Sequence, residues 1–145
     1  MTSKPGEEKY VWSFQLESKN FFKGGEASTQ IKQKLKDLSI PSLVIRKVSI
    51  IAYEAEMNVI IHSNGGEIFL EVDQEKVVIR TEDVGPGIPD INQAMEEGFT
   101  TVGREILELG FGAGMGLPNI KNFSDDLDID SGEGQGTILT AIVYL

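Results

Sequence analysis

Large apolar residues fall at every second position from Tyr10 through Trp12 and Phe14 to Leu16, the period of a half-buried strand, which predicts β structure over residues 10–17. Gly24-Gly25 breaks that pattern. From Glu26 the apolar residues Ala27, Ile31, Leu35 and Leu38 recur at helical spacing, and Ile40-Pro41 ends the predicted helix, since the residue before proline avoids helical dihedrals. Ser42 is placed to cap a second, longer helix running to His62, with a core stripe of Val44, Val48, Ile51, Ala55 and Val59. Beside it lies a polar stripe, Glu54, Asn58 and His62. Each step of four residues advances only about 40° round a helix, so the three point one way. Asn64-Gly65-Gly66 closes the helix. Residues 67–72 and 76–81 read as a hairpin turning through Asp73-Gln74-Glu75. Asp90 can cap a short helix to Glu97, and a helix can restart at Leu117-Pro118. A last hairpin joins residues 127–131 to 137–145, whose apolar second strand belongs inside a sheet. The order β-α-α-ββ-α-α-ββ predicts an α/β two-layer sandwich: a mixed, mostly antiparallel sheet with its helices on one face.

The 145 residues suit one domain, 1–145, with residues 1–9 as a flexible polar tail. The 23 acidic residues outnumber the 13 basic ones, for a net charge of −10. That balance argues against nucleic-acid partners, which demand a Lys/Arg-rich face, and against adhesion to anionic membranes. The chain has no Cys, which excludes disulfides and thiolate-held metals, and one His, which excludes multi-His metal sites. No apolar run approaches the roughly 20 residues that cross a bilayer, and the polar start does not read as a signal peptide, so a cytoplasmic location is expected.

Three clusters can carry chemistry. In Gly110-Phe111-Gly112-Ala113-Gly114-Met115-Gly116 every second residue is Gly and a helix follows, an arrangement of backbone N–H groups suited to phosphates. A flexible surface loop is the alternative. The spacing fits neither the P-loop nor the dinucleotide fingerprint. Asp83-Val84-Gly85-Pro86-Gly87-Ile88 puts a carboxylate at a strand end, where it can take a hydrogen bond from an amine while glycine backbone lies against a flat ring; an ordinary turn is the alternative. In the Glu54/Asn58/His62 stripe, Glu can serve as a general base and Asn can give Mg²⁺ an oxygen ligand, against the alternative of a solvated helix face.

Taken in order, Glu54-x-x-x-Asn58-x-x-x-His62, Asp83-x-Gly85-Pro86-Gly87-Ile88, Gly112-x-Gly114-Met115-Gly116-Leu117 and Gly134-Gln135-Gly136-Thr137 resemble the four nucleotide-binding boxes of the GHKL (Bergerat-fold) superfamily of ATPases and kinases. Within it, the chain resembles the small bacterial anti-sigma-factor and switch serine/threonine kinases of partner-switching systems, and residues 82–101 are particularly similar to the switch-kinase branch.

The resemblance implies ATP/ADP and Mg²⁺ as cofactors. It makes Glu54 the base that activates the attacking hydroxyl and Asn58 the Mg²⁺ ligand. Asp83 would accept a hydrogen bond from the adenine amine, supported by Gly85, Gly87, Ile88 and Thr137. Thr101, Gly112, Ala113, Gly114, Met115, Gly116 and Leu117 would close round the phosphates. The implied activity is phosphorylation of a small STAS-domain antagonist protein, with a sigma factor or a downstream regulator as a further partner, and a homodimer as assembly. A nucleotide-gated docking module and a free-standing ATPase are the rival readings. Residues 102–109 depart from the family pattern as an insert. Arg104 and Lys121 are nearby cations that could reach a γ-phosphate, with plain solvation as the alternative.

Overall fold

A computed structural model describes residues 8–87, 91–96, 116–132 and 134–145. In chain order the elements are β1 (Tyr10–Leu16), a 3₁₀ turn (Phe21–Lys23), α1 (Glu26–Asp37), α2 (Ser42–His62), β2 (Gly66–Val72), β3 (Lys76–Asp83), α3 (Ile91–Ala94), α4 (Gly116–Phe123), β4 (Asp126–Asp130) and β5 (Ile138–Tyr144). The five strands form one sheet in the order β1-β2-β3-β5-β4. All four pairings are antiparallel, so the parallel component of the expected mixed sheet is not found among the described strands.

Strand alternation sorts the two faces. Ile68, Leu70, Val72, Val77, Ile79, Leu139, Ala141 and Val143 are buried together with the helices. The other face is mixed: beside Phe69, Val78 and Ile142 it carries Arg80, whose guanidinium lies 4.6 Å from the centre of the Phe69 ring and pairs with Glu71 and Glu82 at 3.7 and 3.5 Å. The two-layer α/β sandwich is therefore as predicted, and β5 is an interior strand between β3 and β4.

Helix α2 is the spine. It packs on α1, on α4 and on the sheet, which explains why apolar residues surround most of it. Its core face takes in Ile45, Val48, Ile51, Ala52, Ala55 and Val59, while the expected Val44 is only half-buried. Ser42 is not its cap. The helix begins at Ser42 with Pro41 at the N-cap, and Pro41 contributes its carbonyl to the Ile45 N–H at 3.0 Å. Proline's missing N–H costs nothing at that position. Strand β3 runs two residues past its expected end because Glu82 still pairs with Ile138 and Asp83 with Gly66. No described helix is long and apolar enough to cross a membrane.

Both ends of the helix pair are closed by groups from elsewhere in the chain. Gly25, at the N-cap of α1, takes a left-handed φ of 93° and brings no capping side chain. Instead Glu56 of α2, 1% exposed, accepts from the backbone N–H groups of Gly25, Ala27 and Ser28 at 3.2, 3.2 and 2.9 Å. These are donors that a helix start leaves without partners, and the positive end of the α1 dipole favours a carboxyl there. At the other end of α2, the Lys19 N–H donates to Ile60 O at 2.8 Å, the Lys19 Nζ donates to Ile61 O, and Ser18 Oγ donates to Ser63 O.

Removing the Glu56 side chain strands two buried donors and a half-buried one at once. Glu56→Ala is expected to lower unfolding free energy by about 3 kcal/mol or more, and Glu56→Gln by about half that, because it keeps one acceptor oxygen. Urea unfolding of the two variants beside the parent checks the order; equal stability for all three would remove Glu56 as the cap.

Candidate functional site

Glu54 and Asn58 are one helical turn apart on α2, on the face turned to α4. The start of α4 is held close to both. A Cβ on Gly116 would stand 3.1 Å from Asn58 Oδ1 and 3.2 Å from Glu54 Oε2, so this backbone position lies against an amide oxygen and a carboxylate oxygen together. Burial pushes the Glu54 carboxyl above its ordinary pKa, and a hydrogen bond from the Asn119 side chain pulls it part of the way back. A half-buried carboxylate with a raised pKa suits a general base better than a solvated one, because its proton affinity is closer to that of the group it must deprotonate.

The second group of residues lies where β3 ends and β5 begins. Asp83 Oδ1 accepts from the Thr137 N–H at 3.0 Å, while the Asp83 N–H donates to Thr137 O at 3.0 Å, so carboxylate and main chain are locked to one neighbour. Thr137 is buried, and its hydroxyl shares a 2.7 Å hydrogen bond with that of Ser131. Backbones approach closely here. A Cβ on Gly136 would stand 2.2 Å from Asp83 O, and one on Gly87, whose φ is 75°, would stand 2.0 Å from Gly132 O. Gly134 N–H donates to Pro86 O at 2.7 Å, tying the loop after Asp83 to the β4–β5 turn.

These two groups of residues are joined through the main chain at the end of α2. Asn64 N–H donates to Val84 O at 2.7 Å and Val84 N–H to Gly65 O at 3.0 Å. Asn58 stands four residues, roughly 6 Å of helical rise, before α2 ends at His62. The Asp83 loop thus hangs from the same helix that carries Glu54 and Asn58.

Of the predicted residues, Glu54, Asn58 and Gly116 meet in one place, and Asp83, Gly87 and Thr137 in the other, with Gly85 packed against Ser63. Leu117 is buried in the core under the start of α4. His62 stands exposed at the end of α2, and Lys121 is exposed on α4. Ile88, Thr101, Arg104, Gly112, Ala113, Gly114 and Met115 lie outside the described residues. Two residues escaped the sequence reading. Glu56 was legible only as a charge inside an apolar stretch, and Asn119 only by its spacing of three from Gly116 on one helix face. A cavity of about 440 Å³ opens elsewhere, between β1 and the start of α1, over Phe14, Leu16, Ala27, Glu56 and Ile60. It contains none of the converging groups, so the site is assigned from those groups and not from cavity size.

Residues 25–143 match the family described as the histidine kinase-like ATPase domain. The serine/threonine-protein kinase RsbT of Bacillus subtilis (strain 168) is 34% identical over 114 residues, 76% of this chain and 80% of that protein. An anti-sigma F factor of Bacillus licheniformis is 35% identical over 107 residues, 70% of each chain. The crystal structure of the SiaB–SiaC complex from Pseudomonas aeruginosa contains a chain of the same fold, with a TM-score of 0.61 at 13% identity, covering 91% of this chain and 88% of that one.

Two outcomes test the Asp83–Thr137 region. Burial raises the Asp83 carboxyl above its usual value, against the opposing Thr137 N–H, so ionising it is harder in the folded chain than in the unfolded one. Its contribution to stability is therefore full in acid and lost as pH rises through the raised pKa. Asp83→Asn removes that loss: thermal unfolding should show a variant more stable than the parent at neutral pH, with the difference fading near about pH 4. A parent that is the more stable at neutral pH would contradict this. For the close approach, Gly136→Ala forces a side chain into Asp83 O, whereas Gly134→Ala meets nothing within 4 Å and carries only the strain of its φ of 77°. Gly134→Ala should cost about 1 kcal/mol and Gly136→Ala clearly more, as measured by denaturant midpoints.

Proposed function

The chain belongs to the histidine kinase-like ATPase domain family, and we propose that it is a Mg-ATP-dependent serine/threonine protein kinase that phosphorylates a small STAS-type antagonist protein in a partner-switching system. The observation that carries this reading is the meeting of Glu54 Oε2 and Asn58 Oδ1 at the Gly116 backbone. A module that only bound nucleotide would have no use for a raised-pKa carboxylate beside the cation ligand. The relatives lend support from their names, one a serine/threonine-protein kinase and another an anti-sigma F factor.

The residues fit the groups this function requires. Asn58 presents a hard oxygen of the kind Mg²⁺ takes, alongside water and phosphate oxygens, and bound Mg²⁺ neutralises phosphate charge. Gly116 leaves the room that a side chain would fill. Asp83, its carboxylate oriented by Thr137, takes the adenine amine, and Gly87 and Gly136 keep the neighbouring backbone close enough to flank a flat ring. Glu54 accepts the proton of the attacking hydroxyl. That oxygen forms the new bond to the γ-phosphorus as the bond to the ADP oxygen breaks, and ADP departs. Phosphoryl transfer asks the protein mainly for positioning and charge neutralisation, which these residues offer.

The test follows the label from γ-labelled Mg-ATP in host lysate, with Glu54→Ala as control. We expect one small labelled protein with the parent and a loss of about a hundredfold or more in Glu54→Ala. Unchanged transfer in Glu54→Ala would remove the base. Label recovered only as free phosphate would make the chain an ATPase, and label left entirely on ATP would make it a nucleotide-gated docking module. Stoichiometric recovery of a sigma factor in a pull-down would place the chain with the anti-sigma branch and not with the switch kinases.

A further inference from the structure

Asn119 lies in the first half of α4, half-buried, one helical turn beyond Gly116. Residues three apart share a helix face, so the turn that presses its backbone against Glu54 and Asn58 also presents Asn119 to them. Its side chain lies close enough to Glu54 to pull that carboxyl down against the effect of burial. The residues on either side of it are anchors: Leu117, Pro118 and Ile120 are buried, with Ile120 fully inaccessible, and Ser124 Oγ closes the helix on Ile120 O at 2.7 Å. Asn119 is therefore carried on a rigid turn and not on a mobile loop.

A glutamate has three rotatable side-chain bonds, and only some of its orientations point a lone pair at an incoming hydroxyl. From these contacts we infer that Asn119 is a positioning residue for Glu54: its amide donates to one carboxylate oxygen, sets the plane of the carboxylate, and leaves the other oxygen for the proton it must accept. This rests on Glu54 being the base. This contact links two helices that the core already holds together, so its loss would be felt in the orientation of Glu54 before it was felt in the fold. Asparagine suits the task because it donates without adding charge; an aspartate there would set two carboxylates face to face, and a leucine would match the volume without a donor.

The test measures initial label transfer from Mg-ATP to the lysate protein for Asn119→Leu and Asn119→Gln, each in the parent and in Glu54→Ala. Asn119→Leu should slow transfer at saturating ATP by about tenfold to a hundredfold. The half-saturating ATP concentration should stay within about twofold, since ground-state binding is not what is lost. Asn119→Gln, which keeps the amide, should recover most of the rate. In Glu54→Ala the leucine substitution should cost nothing further, because a residue acting only through Glu54 has nothing left to position. An equal loss in both backgrounds, full activity of Asn119→Leu, or an effect confined to ATP half-saturation would each overturn the inference. Asn119→Ala, read the same way, decides the matter if the leucine variant does not fold, and thermal unfolding of every variant shows which do. Full transfer by Glu54→Ala would refute the base and Asn119's role with it, whereas an inactive Glu54→Ala beside a fully active Asn119→Leu would refute the positioning role alone.

Discussion

Helix α2 packs on the sheet, α1 and α4, and its buried carboxyl groups and end carbonyls are met by partners inside the protein. Much of the molecule is arranged by that demand. Glu56 meets the open N–H groups of α1, which fixes where α1 begins. The carbonyls at the end of α2 are met by Ser18 and Lys19, which pins the turn after β1 to the helix and lets Lys19 hold a φ of 61° that a lysine rarely adopts. Glu54 is met by Asn119 of α4. Three neighbouring elements are thus set in place by polar groups of one helix, and the candidate catalytic carboxylate is one of those groups.

The same economy explains why Glu54 and Glu56, two residues apart, have different tasks. They lie about 200° apart round the helix, so one looks to α4 and the other to α1. Glu56 is fully inaccessible and saturated with backbone donors, which makes it structural. Glu54 is half-buried, carries one side-chain donor and adjoins Asn58, which leaves it oxygen surface for chemistry.

The order of elements, the layer architecture and the candidate residues of α2 and of the Asp83 loop were legible in the sequence because they depend on local periodicity and on short spacings. Glu54 and Asn58 stand four apart, and Asp83 stands two and four from its glycines. What escaped has a partner far along the chain. Glu56 caps residues 28 to 31 positions away, and Asn119 answers a residue 65 positions earlier, with no pattern in the sequence linking either pair. The misreading of Ser42 was of another kind. A serine just after a proline satisfies the rule for a cap, but Pro41 already supplies the carbonyl that opens the ladder, and the serine is carried inside the helix. Strand β3 was read short because its last pairs, to Gly66 and Ile138, are set by neighbouring strands and not by its own alternation.

The Glu54 end and the Asp83 end of the site belong to different layers, yet what joins them is main chain: Asn64 and Gly65, just past α2, bond to Val84, just past β3. A backbone link of this kind fixes their separation independently of the side chains around them. Surfaces beyond the site can then diverge while the distance between the Glu54 and Asp83 carboxyls is retained. Relatives named for a kinase activity and for sigma-factor antagonism, each about a third identical to this chain, are what such a frame allows. The fold supplies the frame, and what distinguishes its users lies in the side chains and surfaces it carries.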